Sequence, residues 1–202
     1  MNTALSLNVT TDELYTSSID IEEEFRISAR TAIARRSPAA PLKQIIKDYP
    51  HLIKGAAINY AKGRTSLDSE AIAEIAGMCN DYDFTHCPEI SVLNAHYRFV
   101  YCGYCVNVLI PEARQVVWKT LAKLCHDTEG VVFVAARSDS DRGIKGTPFA
   151  DGVKTSIGTF QIGYRKGQLA QEAQQHFEHV TEISGKGAYR IVACSHAPIN
   201  LK

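Results

Sequence analysis

Apolar runs of strand length alternate with amphipathic stretches along the chain after residue 50. The apolar runs lie at 54–59, 98–102 and 131–136, and a more polar strand is predicted at 78–83. Elsewhere, apolar residues recur at helical spacing over 65–76, 112–125 and 165–177. This alternation predicts βα units that form a doubly wound, mostly parallel α/β sheet with helices on both faces.

Two further strand patterns close the chain, at 179–184 and 189–194. A short turn that contains Gly185 and Gly187 separates them. Because a connection this short joins antiparallel neighbours, we expect an antiparallel C-terminal hairpin at the edge of the sheet.

The first fifty residues follow another pattern. Residues 1–18 are largely polar, whereas 19–36 have a helix-forming composition that ends at the prolines of 37–41. A second short helix is predicted at 42–49, before Pro50. We therefore divide the chain into an N-terminal helical extension, residues 1–50, and an α/β domain, residues 51–202.

Composition narrows the class of protein. The 202 residues are 45% hydrophobic and 22% charged, which suits one domain with a sizeable core. The apolar run at 131–136 is too short to span a bilayer, and residues 1–20 lack the basic and apolar blocks of a secretory signal. We expect a cytoplasmic protein with no membrane association, whose six cysteines are free thiols.

Charge is balanced overall but uneven along the chain. The formal net charge is zero, yet basic residues concentrate between Arg26 and Arg64, where Asp48 is the only acid. Such a segment is suited to contact the phosphates of DNA or RNA. Scattered, solvated side chains explain the same pattern equally well.

Candidate chemistry begins at the end of the first strand. There the chain enters a turn at Gly63 and reopens as a helix at Thr65 or Ser66. Asp83 follows the second predicted strand about twenty residues later, the separation expected of a carboxylate that accepts ribose hydroxyls. The two segments predict a site for a nucleotide-like ligand at the carboxyl edge of the sheet.

These segments, together with 99–108 as a later strand and its loop, resemble the class I S-adenosylmethionine-dependent methyltransferase fold over roughly residues 55–196. The resemblance implies a seven-stranded sheet and S-adenosylmethionine as the cofactor. It also implies a set of cofactor-binding residues: Asn59, Tyr60, Ala61, Gly63, Asp83, Gly103 and Tyr104.

A narrower likeness lies further along the chain. Residues 136–139 and 146–161 are similar to methyltransferases associated with DNA phosphorothioation. This likeness implies an enzyme that methylates nucleic acid or a nucleotide-like substrate in DNA modification or defence. An exposed helix face near the N-terminus would suit a homodimer or a complex with other modification proteins.

The chain departs from the methyltransferase pattern in two places. Ala61 and Thr65 stand where two of the three turn glycines are usual, and each added Cβ narrows the room for a ligand. The loop 102–107 lacks the Pro-Pro-Tyr pattern of enzymes that methylate base amino groups. A catalytically silent binding or regulatory subunit is therefore the alternative, whereas a nicotinamide-dependent oxidoreductase is disfavoured because G-x-G-x-x-G is missing.

Substrate contacts are expected from the polar segment 137–161, although a long solvated lid would have the same composition. The catalytic candidates, with no general base assigned, are Tyr104, Arg137, Asp139, Asp151 and Thr155. No metal is expected, because Cys102 and Cys105 would point to opposite faces of a continuing strand and no second Cys or His pair lies at ligand spacing.

Overall fold

The computed structural model describes residues 19–201, so the polar start predicted at 1–18 lies outside the described residues. The helices are α1 (Ile21–Ser28), α2 (Ala40–Asp48), α3 (Leu67–Ala76), α4 (Pro111–Leu124) and α5 (Gln168–Ala173). The strands are β1 (Ala57–Tyr60), β2 (Asn80–Tyr82), β3 (Phe99–Gly103), β4 (Val131–Arg137), β5 (Thr147–Phe149), β6 (Gly152–Lys154), β7 (Phe160–Gln161), β8 (His179–Ile183) and β9 (Tyr189–Ser195).

The main sheet has the strand order β2-β1-β3-β4-β9-β8. The first four strands in this order are parallel, and β9 runs antiparallel to both β4 and β8. This arrangement confirms the mostly parallel α/β sheet and the antiparallel C-terminal hairpin. The carboxyl ends of β1, β3 and β4 consequently meet at one edge of the sheet, where the predicted turns lie.

The predicted number of strands is wrong. In the part of the chain that the structure describes, the main sheet has six strands and not seven. Between β2 and β3 the chain forms a bridge from Asp83 to Cys87 and the 3-10 helix Ile90–Asn94. Each crossover to a parallel strand needs about a dozen residues, so this short segment, which also contains Pro88, has no room for a further strand and its connections.

Helix α3 has the bounds that its flanking residues predict. Ser66 occupies the N-cap position, and Gly77 ends the helix with φ 89°, a conformation that glycine adopts without steric cost. Two other helices are shorter than predicted. The chain becomes extended at Ala32 after α1 and its 3-10 turn, and α5 begins only after Gly167, which has φ 81°.

Apolar clusters cover both faces of the main sheet. One cluster joins Trp118 of α4 to Val134, and the other joins Leu42 of α2 and Ile72 of α3 to Phe133. Neighbouring residues of β4 thus belong to different clusters, because successive side chains of a strand point to opposite faces. The site-forming edge therefore lies on a sheet that is fixed from both sides.

The segment 137–161, predicted as a loop, contains a second sheet with the antiparallel order β5-β6-β7. Its strands have two or three residues and β5 is exposed throughout, so no alternation of buried positions marks them in the sequence. The sheet is anchored by Arg114 of α4, which is only 3% exposed and pairs with Asp151 and Glu172.

The N-terminal extension packs on the α/β domain in residues 19–50. Asp68 in the first turn of α3 accepts hydrogen bonds from the Arg35 guanidinium at 2.8 Å and from the Ala39 N–H at 2.7 Å. Arg30 donates to the Ile157 carbonyl in the turn after β6, at 3.3 Å. None of the helices in residues 19–201 has the length and apolar character needed to cross a membrane.

Candidate active site

Two residues directly after β1 and β3 have left-handed backbone although they are not glycines. Ala61 has φ 59° and Tyr104 has φ 61°, and Gly63 in the same turn as Ala61 has φ 69°. This conformation costs an L-residue about 1 to 2 kcal/mol. The turn after β1 therefore keeps the shape that glycine normally provides. Of the three non-glycine residues with positive φ in residues 19–201, two lie at the carboxyl edge, and the third, Ala150, lies between β5 and β6.

Asp83 lies beside this turn, as its spacing predicts. The Gly63 N–H donates to Asp83 Oδ2 at 2.9 Å. The N–H groups of Thr85 and His86 donate to Asp83 Oδ1 at 2.9 and 2.8 Å. The carboxylate thus joins two loops of the edge, and because it has about four acceptor positions, it retains capacity for another donor.

Asn59 faces α3 and is buried. Its side-chain amide donates to Ser69 Oγ at 3.0 Å, and Ser69 in turn donates to Asp81. Lys62 completes this network, with its Nζ 3.4 Å from Asp81 Oδ2 and 3.0 Å from Ser66 Oγ. The side chain of Asn59 therefore fixes the start of α3 against β1.

Aromatic side chains fill the edge on the α1 side of the sheet. The rings of Tyr60 and Tyr82 stack with centroids 5.2 Å apart, and Phe25 of α1 contacts Phe84 at 5.2 Å. The cavity that remains among these residues and Cys105 has a volume of about 60 Å³. Since small-molecule sites usually have about 300 to 1,000 Å³, α1 closes this side of the edge.

On the opposite face, the Tyr101 side chain is fully buried and its hydroxyl has no hydrogen-bond partner in the protein. Burial raises the pKa of Tyr101, and the nearby Asp68 charge raises it further, so the hydroxyl stays protonated. A Cβ at Gly103 would lie 2.5 Å from this oxygen, which shows how closely the end of β3 approaches it. The Tyr101 hydroxyl is thus a buried donor at the end of β3 whose partner is not a protein atom.

Arg35 and Tyr104 flank the same position. The Arg35 guanidinium, which pairs with Asp68, lies 5.5 Å from the centre of the Tyr104 ring, within the range of a cation–π contact. Burial raises the pKa of Tyr104, and the positive charge of Arg35 opposes this rise in part. Tyr101, Tyr104, Arg35 and Asp68 thus form a polar group on the α2 and α3 face of the edge.

With this geometry established, comparison with known proteins identifies the fold. No protein-family model matches the sequence, and no curated protein matches it either. The structure is similar to DhpI in complex with SAH, with a TM-score of 0.61 and 12% identity over 89% of this chain and 98% of that chain. It is also similar to the DhpI complex with SAM and HEP, with a TM-score of 0.59 and 12% identity over 89% and 99% of the two chains.

The methyltransferase domain of bacterial CtHen1-CN gives a TM-score of 0.53 and 10% identity over 77% of this chain and 97% of that chain. The 202-residue chain therefore has the class I S-adenosylmethionine-dependent methyltransferase fold. The expected fold is thereby confirmed apart from its seventh strand. The likeness concerns the fold alone.

The remaining catalytic candidates are distributed over several places. Arg137 ends β4 at the carboxyl edge, where its Nε donates to Asp141 at 2.7 Å, and this bond lowers the pKa of Asp141.

The other candidates are bound to partners within the protein. Asp139 pairs with Arg190 of β9 at 2.8 Å, and Asp151 pairs with Arg114. Thr155 lies in the turn after β6, where its hydroxyl contacts that of Thr159 at 2.8 Å. Of these candidates, Arg137 is the last residue of β4 and Tyr104 directly follows β3, so both lie at the carboxyl edge.

Sequence patterns did not indicate three members of the polar group as ligand contacts. Tyr101 lies inside an apolar strand and is therefore typical of a core residue, and Asp68 is a normal first-turn acid of a helix. Arg35 lies far away in sequence, and no local pattern connects it to the turn. Only the folded arrangement brings the three together.

The prediction that Cys102 and Cys105 point to opposite faces of a continuing strand is wrong. The strand ends at Gly103 and the chain turns at Tyr104, and the neighbouring Cys105 thiol together with burial raises the pKa of Cys102. Within residues 19–201, no group of three or more His, Cys, Asp or Glu side chains is arranged to hold a metal ion.

Proposed function

We propose that this protein is an S-adenosylmethionine-dependent methyltransferase whose cofactor binds at the carboxyl edge of β1, β2 and β3. The observation that carries the proposal is the 2.9 Å hydrogen bond from the Gly63 N–H to Asp83, which joins the first turn to the acid after the second strand. The similar structures add support, because DhpI was solved with SAH and with SAM and HEP.

The polar groups of the edge fit such a cofactor. Asp83 would accept a ribose hydroxyl with its remaining acceptor capacity. The backbone of 61–63 would lie against the ligand, since Gly63 has no Cβ to obstruct it. Tyr101 would donate its unpaired hydroxyl, and Arg35 its guanidinium, to the carboxylate of the methionine portion.

The chemistry asks little of the protein beyond alignment. When bound, the cofactor would supply a methyl group on a positively charged sulfonium; a nucleophile would attack the methyl carbon as the bond from carbon to sulfur breaks and SAH leaves. The protein has to orient the acceptor and to exclude water from the edge. Tyr104, which stays protonated because burial raises its pKa, is placed to donate a hydrogen bond to an acceptor.

The proposal requires α1 to move. The cavity of about 60 Å³ on the α1 side admits one or two water molecules and not an adenine ring. Phe25, Tyr60, Tyr82 and Phe84 occupy that space. Because α1 has no buried residue of its own, its displacement exposes less apolar surface than the loss of a core helix would.

Nucleic acid as the acceptor, in DNA modification or defence, remains a prediction. Several cations of the basic segment are already paired within the protein, since Arg26 contacts Glu22, Arg35 contacts Asp68 and Lys62 lies near Asp81. Contacts with DNA or RNA would therefore depend on the exposed cations of the segment that form no ion pair within residues 19–201, which are Arg30, Arg36, Lys43, Lys47, Lys54 and Arg64.

Titration calorimetry with SAH, S-adenosylmethionine and NAD tests the proposal. We expect micromolar binding of the two adenosyl compounds and none of NAD. Asp83→Asn should weaken SAH binding by about 1 to 3 kcal/mol, because a neutral amide replaces a charged acceptor.

The matched control is Asp139→Asn, which removes the charge of an acid that pairs with Arg190 on another loop. It should leave the SAH titration unchanged. Binding of NAD alone would contradict the proposal, and failure of both adenosyl compounds to bind would favour the silent binding subunit.

A further inference from the structure

A second cavity, of about 630 Å³, lies between the small sheet and the start of α5. Its volume falls within the range of small-molecule sites. We call it the donor cleft and define it by the polar side chains in its lining: Asp151, Gln161, Arg165, Lys166, Gln168 and Gln171. It is separate from the turn at Gly63 and from Asp83.

The charge of the donor cleft is positive. Among residues 19–201, neither the Arg165 nor the Lys166 side chain has an ion pair or a hydrogen bond. The acid in the lining, Asp151, is paired with the buried Arg114, which also contacts Glu172. Two free cations therefore face a cavity whose acid is already engaged.

The amides of the cleft present donors as well. Gln161 Oε1 accepts a hydrogen bond from Arg137 at 2.6 Å, and Gln168 Oε1 accepts one from the Arg165 N–H at 3.1 Å. With their oxygens engaged, both side chains leave NH₂ groups free to donate. A ligand in this cavity meets cations and N–H donors, which suits an anion.

The wall of the cleft is fixed to the candidate active site. The Ile162 N–H donates to the Asn107 carbonyl at 2.9 Å, and the Tyr164 N–H donates to the Arg137 carbonyl at 2.9 Å. Gln161 contacts the Arg137 guanidinium at the carboxyl end of β4. Gln161 therefore lines the cleft and also contacts Arg137, which lies at the edge where the methyl group would be delivered.

We propose that the donor cleft binds the carboxylate or phosphate group of a small molecule, and that this molecule is the methyl acceptor. The second part rests on the proposed function, whereas anion binding itself does not. The acceptor class is thus an anionic small molecule with its nucleophile at the end distant from the anion.

Inorganic phosphate and acetate are suitable probes, each titrated at constant ionic strength against a chloride reference. We expect saturable binding of at least one of them, seen by calorimetry and as a rise in the melting temperature. Arg165→Gln combined with Lys166→Gln should weaken this binding at least tenfold, and Gln161→Leu should weaken it less. Whichever probe saturates at the lower concentration assigns the anion as phosphate or carboxylate.

The control is Lys119→Gln combined with Lys123→Gln, which removes two exposed cations of α4 outside the cleft and should leave anion binding unchanged. SAH binding should be the same in all these variants, so loss of anion binding is distinguishable from loss of the cofactor site. The inference is overturned if neither probe binds saturably, or if the Arg165 and Lys166 variant binds the anion as well as the unaltered protein does.

Discussion

At the scale of single residues, Tyr101 links stability to ligand binding. Its hydroxyl is buried without a partner, which costs about 1 to 3 kcal/mol. Tyr101→Phe should therefore raise the free energy of unfolding of the ligand-free protein by about 1 kcal/mol. The same change should weaken SAH binding, because the hydroxyl is assigned to the ligand. Urea denaturation and titration calorimetry measure the two effects.

Tyr164→Phe is the matched comparison, since Tyr164 is equally buried but donates its hydroxyl to Glu172 at 3.0 Å. That variant should be less stable than the unaltered protein, because Glu172 Oε2 loses one of its two donors and keeps only Trp118 Nε1 at 3.1 Å. If Tyr101→Phe is destabilised in the same way and binds SAH normally, the hydroxyl has no ligand role.

Sequence reasoning at this scale succeeded where spacing carried the information. The distance along the chain between Gly63 and Asp83 predicted that the acid would lie beside the turn, and the hydrogen bond between them bears this out. It could not predict that Thr85 and His86 also bond to the same carboxylate. Such contacts depend on how a loop folds back on itself, and residue types do not encode that locally.

At the scale of secondary-structure elements, α1 should control the rate of ligand entry. Phe25 of α1 packs against Phe84 beside the small cavity, and Arg26 of α1 also lies over the Phe84 ring. Phe25→Ala should speed SAH association, because the helix then has less contact to break and the cavity is larger. Stability should fall by about 1 kcal/mol, since Phe25 is only partly buried. Stopped-flow fluorescence with SAH measures the association rate.

Val116→Ala provides the control, because Val116 is a partly exposed residue of α4. It should leave the association rate unchanged. An equal rate for Phe25→Ala and the unaltered protein would show that α1 does not limit entry.

Helices with clear capping residues had predictable ends, and helices without such residues did not. Ser66 and Gly77 mark α3, whereas α1 and α5 continue the helical composition past the point where the backbone leaves the helix. The sequence did not predict the small sheet, because its strands have only two or three residues and are too exposed to show alternating apolar positions. Tertiary contacts such as the pair of Arg114 with Asp151 hold it in place, and they join distant parts of the chain.

At the scale of the whole molecule, the alternation of strand and helix patterns was sufficient to predict the sheet class and the C-terminal hairpin. The seventh strand came from the resemblance and not from a pattern, and the segment between β2 and β3 has no room for it. Overall charge was less informative. A net charge of zero leaves the choice of acceptor to local groups such as the donor cleft.

The central claim is that an adenosyl ligand binds where the turn at Gly63 meets Asp83. A crystal structure of the protein with SAH tests it most directly. We predict ligand density against 61–63, a ribose hydroxyl bonded to Asp83, the amino-acid portion near Tyr101, and α1 displaced from Phe84. Density for SAH elsewhere, or an edge still filled by Phe25 and Phe84 at saturating SAH, would contradict the account.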